Sequence, residues 1–387
     1  VVDVVTVTPI ERTPAPAGRR RRRQGSVVVD VVEQDNHTIH RTDVGNARRL
    51  VLRHGRDLLH LRGQWYAWDG ARYRIDETGA VERVAKETVR AMWTEAADMA
   101  GGGDTKEAAA LTKHALSSES RQRITAMISL AASELDVVVD QADDLDADPM
   151  LLTCTNGTID LRTGNLRAHD RADRITRCTG IAYEPGPTPV WDAFLARILP
   201  DPGIREYFQR IVGYTLTGST SEEKLFLLNG TGQNGKSTVI DVVCRLMGEY
   251  AMPAPPELLL TRQRGAPSND VAATRGARLA SVSETEEGAQ LDEVRTKALV
   301  TGDRQSARFL HKEFFTFKPT AKYWIATNHR PIIRGADKAI WRRMVLLPFE
   351  AAITDEEKDK DLGKKLAAES PGILAWAVRG CLAWQRD

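Results

Sequence analysis

The stretch KLFLLNGTGQNGKSTVIDVVCRLMG, residues 224–248, decides the fold. Its apolar opening, Leu225 to Leu228, has the length of a strand, and STVIDVVCRLM then spaces its apolar positions along one face of a helix. Between them Gly230, Thr231, Gly232, Gln233, Asn234, Gly235, Lys236 and Ser237 fit the pattern G-x-x-x-x-G-K-[ST], with Thr238 following. Glycines allow the turns that aim successive backbone N–H groups inward, and the positive end of the next helix adds to them. The loop is therefore a cradle for anions before any side chain acts. Lys236 is placed to reach the β and γ phosphates of a nucleotide, and Ser237 to hold Mg²⁺ through its hydroxyl. A solvated surface turn is the competing reading, and it leaves the strand before and the helix after unexplained.

Moving outward, apolar runs at ARLASVSE, FFTFKP, KYWIATN and MVLLPF continue the alternation, so residues 223–350 read as an α/β nucleotide-binding core. ARLASVSETEEG, residues 277–288, is a strand that stops at Glu284, Glu286 and Glu287. Carboxylates at a strand end beside a phosphate loop can hold magnesium and polarise water, with Glu284 on the metal side and Glu286 on the water side. An acidic surface turn is the alternative, above all for Glu287. KYWIATNHRP, residues 322–331, ends its strand at Asn328, either a sensor of the γ phosphate or a turn former. In AIWRRMVLLPF, residues 339–349, Arg343 directly precedes a strand. It is either an arginine that completes a neighbouring subunit's site or a salt-bridging residue of its own chain.

Upstream, NG and TG turns within LLTCTNGTIDLRTGNLRAHD predict a small hairpin region, and two or three compact helices follow to about Ser221. Together they delimit residues 148–222. Residues 27–147 form a mixed α+β region: short strands and turns over 27–80, then helices over 82–98 and 104–135. Residues 1–26 carry five consecutive arginines, Arg19 to Arg23, amid Pro and Gly, and are expected to be a disordered arm, a phosphate contact or a solvated tail. Residues 351–387 are expected as helices over 353–369 and 371–384.

Composition constrains the partners. The 387 residues carry a formal net charge of +1, so contact with a polyanion has to come from local patches. Four scattered cysteines form no CxxC pair or disulfide framework, and no apolar run spans a membrane, so the expected setting is cytoplasmic with no membrane partner. Asp136 and Asp140 share parity in LDVVVD, yet no basic or histidine companion completes a palm-like carboxylate site, and His37 and His40 lack further metal ligands. Priming is not expected of this chain.

The pieces GTGQNGKST (230–238), LASVSETEEG (279–288), KALVTGDRQSARFLHKEFFTFKPTAKYWIATNHRP (297–331) and IRGADKAIWRRMVLLPF (333–349) resemble superfamily 3 helicases. The resemblance is to the phage and plasmid primase–helicase group related to the poxvirus D5 protein and the P4 phage primase. It implies an AAA+-like P-loop NTPase core preceded by a helical collar domain, with ATP and Mg²⁺ as cofactors. It implies a homo-oligomeric ring, usually a hexamer, that moves 3′ to 5′ on single-stranded DNA and opens forked DNA, with a primase or replication initiator as partner. By carry-over, Lys236 and Ser237 take the phosphate and Mg²⁺ roles, Glu284 and Glu286 the acidic motif, and Asn328 the sensor position. Arg343 takes the trans finger, with Arg342 as its substitute. A DNA-contacting hairpin is implied at SARFLHKEFFTFKP, with His311 and Lys312 at the tip and Arg308 on the stem. Two other readings stay open: a ring ATPase that loads or packages DNA without unwinding, and a structural ring stabilised by nucleotide.

Overall fold

The computed structural model describes residues 39–261, 269–283, 287–308, 313–334 and 338–386. Residues 41–387 form one compact unit. The arginine arm and His37 lie outside the described residues.

The first block starts with helix α1, Asp43–His54, where the Thr42 hydroxyl accepts from Gly45 N at 3.1 Å and Asp43 sits in the positive first turn. A three-stranded antiparallel meander follows: β1 (Leu58–Leu61), β2 (Gln64–Trp68) and β3 (Tyr73–Ile75). Its Asp-Gly turn is closed by the Asp69 carboxylate, which accepts from Ala71 N and Arg72 N. Helices α2 (Ala80–Gly101), α3 (Thr105–Ser118) and α4 (Arg121–Ala131) complete the block. Residues 27–80 were expected as strands and turns throughout, and α1 corrects that. Ala47, Leu50 and Val51 recur at helical spacing and are buried against Val89, Met92 and Met127. In LDVVVD residues 135–137 form a turn and Val138 bridges to His60 of β1, while Asp136 and Asp140 stay in solvent.

A second meander, β4 (Leu151–Cys154), β5 (Gly157–Asp160) and β6 (Asn165–Arg167), leads to helices α5 (Pro189–Ile198) and α6 (Pro202–Leu216). Asp201 caps α6 by accepting from Gly203 N at 2.7 Å.

The largest sheet is parallel throughout. In chain order its elements are β7 (Leu225–Asn229), α7 (Lys236–Met247), β8 (Ala251–Pro253), α8 (Asn269–Ala273), β9 (Leu279–Ser283) and α9 (Glu293–Val300). A two-stranded antiparallel hairpin, β10 (Gln305–Ala307) and β11 (Phe315–Phe317), interrupts it. Then come β12 (Lys322–Thr327), α10 (Lys338–Trp341), β13 (Met344–Pro348), α11 (Leu362–Ala368) and α12 (Ser370–Trp384). The five strands lie in the order β13-β7-β12-β9-β8. Both faces are covered, which is why these strands read as continuous apolar runs. Phe226, Leu228, Trp324 and Leu347 face α5, α6, α7 and α12, whereas Leu225, Leu227, Tyr323, Ile325 and Val282 face the other layer. The chain is thus a mixed α/β protein built around a parallel sheet.

The α6–α12 crossing is the closest between helices. A Cβ on Gly213 would stand 2.0 Å from Cys381 N, and one on Gly380 would stand 2.1 Å from Gln209 O. Residues 353–361, expected as helix, instead form an irregular strap with two turns before α11. Between Ile353 and Leu362 the chain offers only polar residues, so a helix there would have no face to bury, and its charges pair one by one with neighbours. Among the described residues no helix is long and apolar enough to cross a membrane, and no cluster of His, Cys, Asp or Glu has the makings of a metal site. All four cysteines are free, and burial pushes the Cys154 thiol up to about 12.

Candidate active site

In a parallel sheet, loops leaving the carboxyl ends of adjacent strands converge on a shared crevice. Here β7 delivers the glycine loop, β12 delivers Asn328 and β9 ends at Ser283, and β12 lies between the other two. All three line a cavity of about 920 Å³.

The loop is held open by its own backbone. Gly235, at φ +82°, starts α7, and a Cβ there would stand 2.8 Å from Ile198 Cγ2, so only glycine suits both the conformation and the contact with α5. Asn234, buried, donates from Nδ2 to Phe349 O at 3.0 Å, and Ile353 N donates to Gln233 O at 2.9 Å. The loop is thereby tied to the segment that follows β13. Ser237 is exposed to the cavity at the first turn of α7, with Thr238 half-buried behind it, while Thr231 and Gln233 face solvent.

Lys236 is 6% exposed, and its ammonium donates to Gly230 O at 2.6 Å, Asn234 Oδ1 at 3.0 Å and Asn328 Oδ1 at 3.0 Å. Burial lowers its pKa from the ordinary lysine value. All three partners are neutral oxygens, so a buried cation is solvated by dipoles without a carboxylate among the described residues to balance it. That arrangement suits an anion carrying several oxygens.

One wall of the cavity beside the loop is apolar. Val190 and Phe194 of α5 face Ile353 and Leu362. Arg197 clasps this wall shut: Nε donates to Glu357 Oε1 at 3.0 Å, and Nη2 donates to Glu357 Oε2 at 2.8 Å and to Ala352 O at 2.5 Å. The pair holds the Glu357 carboxyl at about 2. A polar loop and an apolar wall within one cavity are a combination that suits a nucleotide. None of these wall residues was legible in the sequence, because α5 and the strap lie far apart in the chain and carry no motif.

The remaining candidates fall into three groups. Glu284, Glu286, His311 and Lys312 lie outside the described residues, although β9 delivers its last residue, Ser283, into the cavity. Arg308 is on the hairpin stem, with its guanidinium 4.7 Å from the ring centre of Phe314. Arg343, weighed as an arginine reaching into a neighbour, is folded into its own chain. It is 7% exposed and donates from Nη2 to Glu223 Oε2 at 2.7 Å and from Nη1 to Ala339 O at 2.7 Å, while its Nε is buried without a hydrogen-bond partner among the described residues. The residue beside it is the more exposed one: the Arg342 side chain is 67% exposed, with Nη2 3.8 Å from the same Glu223 Oε2, and it stands next to Trp341, itself 54% exposed.

Residues 47–200 match the family described as "D5 N terminal like", and residues 228–343 match a family of unknown function, DUF5906. Among curated proteins, "Putative helicase L207/L206" of Acanthamoeba polyphaga mimivirus is 31% identical over 243 residues, 60% of this chain and 25% of that protein. "Putative primase C962R" of African swine fever virus (isolate Tick/Malawi/Lil 20-1/1983) is 28% identical over 210 residues, 52% of this chain and 22% of that protein. The chain thus spans about a quarter of the length of the curated relatives it matches. Among solved structures, the apo C-terminal region of NrS-1 aligns with a TM-score of 0.48 at 11% identity, covering 66% of this chain and 59% of that one.

Proposed function

The chain belongs to the D5-like primase–helicase family, and from that premise we propose that it is the ATP-driven motor of a replicative DNA helicase. Residues 223–350 would be a P-loop NTPase core of superfamily 3, residues 148–222 its collar and residues 27–147 an accessory region. The assembly would be a ring, a hexamer by family resemblance, moving 3′ to 5′ on single-stranded DNA in the cytoplasm of a host cell. The observation that carries this reading is the Lys236 ammonium, held jointly by the glycine loop and by Asn328 on a separate strand.

ATP fits the cavity with its phosphates on the loop N–H groups and Lys236, and its base against Val190, Phe194 and Ile353. Mg²⁺ would be held by Ser237 and Glu284 and would neutralise charge on the phosphates. On binding, Lys236 exchanges the Asn328 amide oxygen for phosphate oxygens. Asn328, released, is then available to orient water, and Glu286 to take its proton. Arg342, projecting from the edge of the sheet, is the arginine we assign to the neighbour's site in place of Arg343. His311 and Lys312 would grip the strand at the hairpin tip.

The decisive measurement is ATP turnover with and without single-stranded DNA, alongside separation of a forked duplex. Stimulated turnover and unwinding, both lost in Lys236→Ala, support the motor. Turnover without unwinding moves the protein to DNA loading or packaging, and nucleotide binding without turnover makes it a structural ring.

A further inference from the structure

A second cavity, about 1120 Å³, runs along the seam between the β2–β3 hairpin, the 218–221 linker and the foot of β11. It exceeds the ~300–1,000 Å³ of ordinary small-molecule sites. Its acids are already engaged. Glu249 is held by Arg72 at 2.6 Å and by Cys178 N at 2.9 Å, Asp146 by Thr176 N at 2.8 Å, and Asp143 by Arg304 at 2.6 Å. Glu223 is taken by Arg343.

Its cations are not balanced in the same way. Arg177 donates only to the carbonyls of Glu249 and Arg275, and the Arg275 guanidinium lies 5.4 Å from the Phe315 ring centre. Arg74 and Lys318 are exposed, with no carboxylate partner among the described residues. Among the described lining residues Glu77 and Asp146, the latter hydrogen-bonded only to neutral groups of Thr176, oppose these four charges. The Tyr66 ring also lines the groove, close enough to Arg275 and to Asp146 for both charges to act on its phenol. Hydroxyls of Ser219, Thr220 and Ser221 complete the wall. Lys318 directly follows β11, so the groove is continuous with the hairpin stem.

Unbalanced cations, an aromatic face and hydroxyl donors inside one groove are the chemistry that holds a single-stranded backbone while stacking a base. We propose that this seam is a track for single-stranded DNA leaving the hairpin, which makes the α1–α4 block and its β2–β3 hairpin a strand clamp. Arg74, Arg177, Arg275 and Lys318 contact phosphates, and Tyr66 stacks on a base. The proposal rests on the DNA-motor reading and adds a site to it.

The test is the binding of fluorescent dT20 by the full chain, without nucleotide, followed by anisotropy over a range of salt. The double variant R74E/K318E changes exposed residues only, and its melting temperature is checked against wild type; if that has fallen, R74Q/K318Q replaces it. Loss of two phosphate contacts should weaken binding at least about tenfold and lower the salt slope by about 1.4, since single strands contribute roughly 0.7 per contact. Tyr66→Ala should weaken binding about tenfold with the slope unchanged, because stacking releases no counterions. Affinity and slope unaltered in R74E/K318E, while Lys312→Ala still weakens binding, would overturn the groove and leave the motor standing. A wild-type chain that fails to bind dT20 overturns both. A loss seen with duplex but not with dT20 also overturns the single-strand assignment.

Discussion

Asn328→Ala separates sensing from binding. In the structure Asn328 Oδ1 is one of three neutral oxygens around the Lys236 ammonium, and an incoming phosphate has to displace it. Removing it takes one ligand from the nucleotide-free chain and none from the phosphates, so ATP affinity should stay within about threefold of wild type. Turnover should fall much further. A hydrogen bond involving a charged partner is worth about 1.5–3 kcal/mol, and if Asn328 spends that on the transition state the loss is roughly 10- to 150-fold. Lys236→Ala, by contrast, should lose binding and turnover together, since the ammonium meets phosphate in both states. Fluorescent-nucleotide titration gives the first quantity and single-turnover hydrolysis the second. If Asn328→Ala weakens binding and turnover in equal proportion, or lowers the melting temperature by several degrees, Asn328 is a structural prop of the loop and the sensor argument fails.

Arg343→Ala should cost about 2 kcal/mol in denaturant melts, because it removes the closer of Glu223's two arginines and empties a nearly buried site, although Arg342 and solvent at Glu223 soften the loss. Arg342→Ala should leave the melt unchanged and depress turnover only at concentrations where the chain assembles; equal behaviour of the two variants would contradict the reassignment. Lys322 is enclosed, and its ammonium donates to the carbonyls of Thr217, Ser219 and Thr320. Burial lowers its pKa well below 10.5, so the unfolded chain binds more protons than the folded one. The burial cost is full below the folded pKa, and stability should climb as pH rises through that value towards 10.5. Lys322→Met should flatten the slope, as read from melts across alkaline pH. Gly213→Ala should destabilise by about 3 kcal/mol or prevent folding, since the new methyl meets the α12 backbone, which cannot rotate aside.

Legibility followed range along the chain. The β7–loop–α7 unit, the Asp-Gly turn and the α2–α4 helices depend on neighbours within about one turn or one strand, and they were readable from spacing. Helix α1 was not, because its leucines and valines equally suit strands until Met92 and Met127 cover one face. The 353–361 strap failed for the opposite reason: its residues favour helix locally, but nothing there rewards a buried stripe, and Arg197 draws Glu357 aside.

What the sequence determined by itself was a strand, a glycine turn and a lysine at the head of a helix, set by dihedral freedom and backbone hydrogen bonding within a dozen residues. Only the tertiary structure decided who meets whom. Glu223 and Arg343 stand 120 positions apart, so no local pattern could show that this arginine would be buried against a carboxylate of its own chain while Arg342 stays largely exposed. The same holds for Lys236 and Asn328, 92 positions apart, which meet because parallel strands bring their carboxyl ends to a single edge of the sheet.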